Sequence, residues 1–305
     1  MKKKIDKVHK FDSLSELNRV LGLPKPLHPM IVLNNYADIT TPFEELPKAT
    51  LLSFFKISYK FNLTGKIGYG QHNYDFAEGR LAFIAPNQVL LTGEADKDLS
   101  GCTLLFHPDF ILNYPLAAKI KNYGFFSYAA NEALFLSDKE KQMIFRVFDD
   151  IMEELNNSID DTTQDVLVSH IEVLLNYSNR YYKRQFITRK VVNSQLVTRL
   201  EQLLRAYFDD KLPLLQGLPT VEYLAGKLNV SPRYLSDMLR SVTGQNAQQH
   251  IQSVIIEKAK EHLAASELSV AEIADNLGFA QPQSFNKLFK RKTNLTPIEF
   301  RQSLN

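Results

Sequence analysis

The apolar positions change period once along the chain, and that change divides it. From about residue 30 to 130 they come in short runs, such as residues 50–57 and 80–84, broken by Gly65, Gly68, Gly70, Gly79, Pro86, Gly93 and Gly101. Many short strands separated by such turns predict a sandwich or barrel. From about residue 137 the period becomes helical. Ser137-Asp138-Lys139-Glu140 reads as a capping box, in which the hydroxyl caps an orphan N–H and the glutamate reaches back. Met143, Ile144, Val147, Ile151 and Leu155 come after it at helical spacing. A second helix is predicted over about 163–182, with Leu167, Ile171, Leu174 and Leu175 on one face. The expected fold class is α+β: a β-rich first half with helices, then an all-α second half.

The second half contains a repeat. Val221, Leu224, Ala225, Leu228 and Val230 recur as Val270, Ile273, Ala274, Leu277 and Phe279, an offset of 49 residues. Leu235, Met238, Leu239, Arg240 and Thr243 recur as Phe285, Leu288, Phe289, Lys290 and Thr293, an offset of 50. Two copies are too few for a solenoid. Each copy reads as helix, short turn, helix. Ser269-Val270-Ala271-Glu272 is a capping box, and Gly278 supplies the left-handed position that ends the helix. Asn229 is its counterpart in the first copy. Ser231-Pro232 starts the next helix with a hydroxyl cap and a proline at the first position, where no donor is lost. A helix over 251–265 joins the copies.

Composition narrows the chemistry. The 305 residues carry 36 Lys+Arg against 34 Asp+Glu, so general polyanion binding is not indicated and any DNA contact must be local. The stretch 183–194 holds Lys183, Arg184, Arg189 and Lys190 with no acid and has the composition of a linker. It divides a first region, 1–182, from a second, 195–305. Cys102 is the only cysteine, which excludes internal disulfides and cysteine-rich zinc sites and fits a reducing cytoplasm. There is no signal-peptide core and no membrane-length apolar run, so no membrane partner is expected.

Behind the buried residues of each copy lies a polar face. In the first it offers Arg233, Ser236, Asp237 and Arg240; in the second, Gln281, Gln283, Ser284, Lys287, Lys290 and Arg291. Gln, Arg, Lys and Ser can bond base edges in the major groove, while cations toward a helix end neutralise phosphates. A rigid connecting helix would let both motifs enter successive major grooves of double-stranded DNA, about 34 Å apart.

Residues 195–304 resemble the DNA-binding domain of AraC/XylS-type regulators. The match runs through Ser269-Val270-Ala271-Glu272-Ile273-Ala274-Asp275-Asn276-Leu277-Gly278-Phe279, then Phe285, Leu288-Phe289-Lys290-Arg291, Thr293 and Thr296-Pro297. By position in that resemblance, Arg233, Ser236 and Asp237 fall at base-reading sites of the first motif, and Gln283, Ser284 and Lys287 at those of the second. Ile255 stands where many members carry arginine, Asn294 where glycine is usual, and Asp237 where a basic or amide residue is common.

The resemblance implies a transcription regulator, as an activator working with RNA polymerase, whose N-terminal domain is a cupin-like barrel that senses a small molecule or forms a homodimer. Residues 75–89 resemble the barrel's central strand-turn-strand. His72 and His107 have no ligand partner at metal spacing, so no metal or other cofactor is expected. Phe54, Phe55, Tyr59, Phe61, Tyr69 and Tyr74 are aromatic enough to line an apolar pocket, or else they fill a core. Two alternatives stand: a DNA-binding dimer with no effector, and a cupin enzyme fused to a DNA-binding tail. No nucleophile–base pair, paired histidines or phosphate loop supports the enzyme, and the family's DNA-repair methyl acceptors need several cysteines.

Overall fold

The computed structural model describes residues 8–60, 68–69, 72–73, 80–91, 99–129 and 132–304, and the chain divides into two units, Met1–Gln185 and Phe186–Asn305. The first unit opens with β1 (His9–Phe11) and α1 (Leu14–Leu21), followed by β2 (Ile31–Asn35), β3 (Ala49–Leu52) and β4 (Phe55–Lys60). Next come β5 (Gly68–Tyr69), β6 (His72–Asn73), β7 (Arg80–Ile84), β8 (Val89–Leu91) and β9 (Cys102–Phe106). The unit ends with α2 (Leu116–Lys119), β10 (Leu134–Phe135), α3 (Asp138–Asn156) and most of α4 (Thr163–Thr188).

Three sheets form. One has the order β10-β7-β4-β9-β2, a second β1-β3-β8, and a third pairs β5 with β6. Among the described residues their ladders do not join into one closed ring, so the unit contains sheets without forming the closed barrel expected of it. Side chains alternate across a strand, and β4, central in the larger sheet, has two distinct faces for that reason. Phe55, Ile57 and Tyr59 point to one face, where Phe55 stacks on Phe106 at 5.0 Å and Tyr59 meets Phe145 of α3 edge-on at 4.8 Å. Lys56, Ser58 and Lys60 point to the other, toward the smaller sheet. There Phe11, Leu14, Leu17, Leu52, Phe54 and Leu105 form a buried cluster under α1.

The capping box at Ser137 and Glu140 opens α3 as its sequence indicates. Helix α4 begins where expected but runs six residues past 182, and a further helix resumes after Arg189. Residues 183–194 are thus largely helical. Lys, Arg and Gln are good helix formers, and Arg184 donates to Glu140 at 2.6 Å and to the Phe135 carbonyl at 2.8 Å, which holds this turn of α4 on its own unit.

The second unit is all helix: α5 (Lys190–Asp209), α6 (Pro213–Gln216), α7 (Val221–Leu228), α8 (Pro232–Thr243), α9 (Ala247–Ala265), α10 (Val270–Asn276), α11 (Pro282–Thr293) and α12 (Pro297–Gln302). Helices α8, α10, α11 and α12 all pack on α9, which starts four residues earlier than expected behind an Asn246–Gln249 capping box.

Candidate nucleic-acid interface

Each motif is a helix pair with its own punctuation. In the first, Thr220 caps α7, and Asn229 ends it in the left-handed region at φ 57°. Ser231 then accepts from the Tyr234 N–H and Pro232 sits at the first turn of α8. In the second, Ser269 and Glu272 form the expected capping box on α10, and Gly278 comes after it at φ 88°. Asn294 caps α11 at φ 64°, so asparagine holds here the conformation that glycine would give.

Apolar residues at helical spacing seat both second helices. Leu235, Met238 and Leu239 are buried under α8, and Phe285, Leu288 and Phe289 under α11. A chain of rings, Phe279–Phe285–Phe289–Phe300, runs through the second motif at centroid distances of 5.4, 5.7 and 5.6 Å. Gly217 and Gly278 meet backbone to backbone, so that a Cβ on Gly278 would lie 2.7 Å from the Gly217 carbonyl carbon. Tyr207 of α5 donates to the Gly217 carbonyl at 2.9 Å. One contact line therefore ties α5, which packs on the first motif, to α10 of the second.

The two outward faces differ in charge. On α11, Gln281, Gln283, Ser284, Lys287, Lys290, Arg291 and Lys292 are exposed, and the helix holds no acidic residue. Gln281, Gln283 and Ser284 occupy the start, Lys287 the middle, and Lys290, Arg291 and Lys292 the last turn, where cations also favour the helix dipole. Arg291 reaches Gln252 of α9 at 3.4 Å. On α8, Arg233 and Arg240 are exposed, but Asp237 accepts from Arg233 Nε at 3.0 Å and lies 3.7 Å from Arg240. Ser236 and Asp237 are half-buried. The expected contact residues thus share one face in each motif, with the first partly neutralised from within. Ile255 is buried in α9.

Comparison with known proteins agrees with this geometry. Residues 224–303 match the family described as "Helix-turn-helix domain". These residues form a helix-turn-helix domain. The chain is 30% identical over 113 residues to "Bifunctional transcriptional activator/DNA repair enzyme AdaA" of Bacillus subtilis, covering 37% of this chain and 50% of that one. It is 27% identical over 112 residues to the regulatory protein SoxS of Salmonella typhimurium, covering 37% of this chain and 98% of SoxS. Among solved structures, the C-terminal domain of AraT, a response regulator from Geobacillus stearothermophilus, is 31% identical, with a TM-score of 0.32 over 35% of this chain and 84% of that one. The chain spans half the length of AdaA and less than half the length of several other curated relatives that it matches.

The first unit holds a second candidate site. A cavity of about 420 Å³ lies between its two larger sheets, with α1 alongside. Of the aromatic residues expected at a pocket, Phe54, Phe55 and Tyr59 do not line it. Phe54 is in the buried cluster, while Phe55 and Tyr59 face the opposite side of the sheet, because Phe106 and α3 offer them apolar partners there. Phe61 and Tyr74, with the side chain of Tyr69, lie outside the described residues.

The residues that line the polar side of the cavity are Tyr36, Lys56, Ser58, Lys60, Arg80 and Thr103. Tyr36 donates to Ser58 at 2.9 Å, and Ser58 meets Thr103 at 3.2 Å. Lys60 lies 4.9 Å and Lys56 5.9 Å from the Tyr36 ring centre, within cation–π reach. The signal that could have found them is the alternation Phe55-Lys56-Ile57-Ser58-Tyr59-Lys60, an amphipathic strand whose polar side needs a destination.

The remaining candidates are quiet. His107 accepts from the Asp109 N–H at 3.2 Å and caps a short helical turn. No cluster able to hold a metal occurs among the described residues, and no helix is long and apolar enough to cross a membrane. Cys102 is buried, and burial, with the Asp149 charge beside it, pushes its thiol up to about 12. It therefore stays protonated near neutral pH and is a poor nucleophile.

Proposed function

We propose that the chain is a sequence-specific DNA-binding transcription regulator whose recognition helices are α8 and α11, set into successive major grooves and modulated through the first unit by a small molecule. The observation that carries this reading is the outward face of α11. Gln281, Gln283 and Ser284 stand at its first turn, where recognition helices meet base edges, and Lys287, Lys290 and Arg291 lie further along, toward the phosphates. In α8, Arg233 and Ser236 would read bases, with Arg240 nearer the backbone and Asp237 able to accept from a cytosine amine.

Packing of both motifs on α9 supports one rigid reader of an asymmetric site. Activation through RNA polymerase, a cytoplasmic setting and a homodimer formed through the first unit belong to the same reading. The word "activator" in the name of AdaA favours the first of these. The high thiol pKa of Cys102 weighs against repair chemistry of the kind that name also mentions.

The test is genome-wide mapping of bound sites and then footprinting of one of them. The expected result is two protected major-groove patches on one DNA face, about one helical turn apart. Equal binding to every duplex would overturn it.

A further inference from the structure

We propose that the cavity of the first unit takes a small amphipathic carboxylate, with an acidic head against Lys56 and the Tyr36–Ser58–Thr103 hydroxyls and an apolar body against the smaller sheet. The inference rests on the reading of that unit as the effector-binding part of the regulator, and it names the ligand's chemistry.

A volume of about 420 Å³ lies within the range of small-molecule sites. The two walls differ in character. The sheet β1-β3-β8 and α1 contribute Phe11, Leu17, Leu21, Leu52 and Leu90, which would strip water from a hydrocarbon or ring body. The larger sheet contributes rows set by register. Lys56 stands between Ile84 and Leu105, Ser58 between Ala82 and Thr103, and Lys60 beside Arg80. Three cations and four hydroxyls, with Thr50 on the smaller sheet among them, thus border the space, and the described lining contains no carboxylate.

Lys60 and Arg80 have other interactions besides, so the head is assigned to Lys56, with those two adding positive field. Ser58 and Thr103 are nearly sealed from solvent, and their hydroxyls, relayed from Tyr36, can turn to donate to an anion. Charge-assisted bonds in a water-poor site are stronger than neutral ones. A neutral alcohol of the same body would forgo them, and a cation would meet three like charges.

The test is isothermal titration of the full chain with decanoate and 2-naphthoate, set against decanol and 2-naphthol. The expected result is binding of at least one carboxylate, ~10-fold or more tighter than its alcohol. Lys56→Met should remove that preference. Lys56→Gln, which keeps a polar end on a half-exposed residue, should do the same with an unchanged melting curve. Alcohols binding as well as carboxylates, or a preference untouched by both variants, would overturn the acidic head while leaving a ligand cavity in place. Binding by none of the four overturns the proposal altogether. Retention of labelled genomic duplexes by the same preparation reports on the DNA-binding reading separately.

Discussion

Arg233 donates its Nε to Asp237 one helical turn along α8, at 3.0 Å. The carboxylate also draws Arg240 to 3.7 Å, so the three charges of this face leave one net positive. Asp237→Asn removes the anion and releases both arginines. We expect tighter binding to all duplexes and a salt dependence steeper by about one phosphate contact. Fluorescence anisotropy across a salt series measures both. An unchanged slope would show that these arginines do not approach the backbone.

The second motif separates base contacts from phosphate contacts. Gln283→Ala should weaken the preferred site by about 1–3 kcal/mol while leaving random duplex binding nearly unchanged. Lys290→Ala should weaken every sequence alike and flatten the salt slope. Competition of specific against random duplexes distinguishes the two, and identical behaviour of the two variants would sink the division of labour along α11.

Gly278 combines a left-handed backbone, φ 88°, with contact against Gly217. Gly278→Ala adds a Cβ 2.7 Å from backbone atoms that cannot swing aside. A loss of about 1–3 kcal/mol is expected, seen as a lower denaturant midpoint. Gly226→Ala is the control, since nothing lies within 4 Å of its Cβ direction. A mid-helix glycine replaced without clash should stabilise by roughly 0.4–1 kcal/mol.

Glu272 and Glu299 each close a capping box, and their hydrogen bonds to Ser269 and Thr296 hold both carboxyls below the usual glutamate value. A depressed folded-state pKa stabilises above the unfolded-state pKa, and that stability is lost as pH falls through the folded value. The melting temperature should therefore drop on acidification below the ordinary glutamate range. Glu272→Gln, which keeps the cap but cannot titrate, should make that drop shallower. A pH profile identical to wild type would show that this cap contributes nothing measurable.

With its thiol pushed up to about 12, Cys102 should resist alkylation in the folded protein at mildly alkaline pH and react once denaturant is added. A thiol-reactive dye with and without guanidinium checks this. Rapid native labelling would reopen a chemical role for it.

Much of the second unit was legible because its signals are local. Asn229 and Asn294 sit at helix ends and take the left-handed backbone that such positions require. Leu235 and Phe285 repeat a buried position whose neighbours repeat with it. The first unit was less legible, because its decisive facts lie in tertiary pairing. Lys56, Ser58 and Lys60 alternate plainly, yet only the opposing sheet decides that they face a cavity rather than solvent. The aromatic content of Phe54, Phe55 and Tyr59 suggested a pocket, but apolar partners nearby claimed all three. The cations around residue 184 suggested a linker; the division between the two units falls there, and the backbone is helical, with Arg184 bonded to Glu140 and the Phe135 carbonyl.

The two faces of β4 also set how this protein can diversify. Odd positions 55, 57 and 59 are locked between packed rings and helices, while even positions 56, 58 and 60 border open volume. Substitutions at Lys56, the half-exposed one of these, can redraw chemical preference with little disturbance to the fold, whereas Ser58 and Lys60 are buried. A saturation library across the strand should accordingly tolerate most variety at codon 56, and a single-codon deletion should be ruinous, because it would exchange the roles of the two faces along the remaining strand.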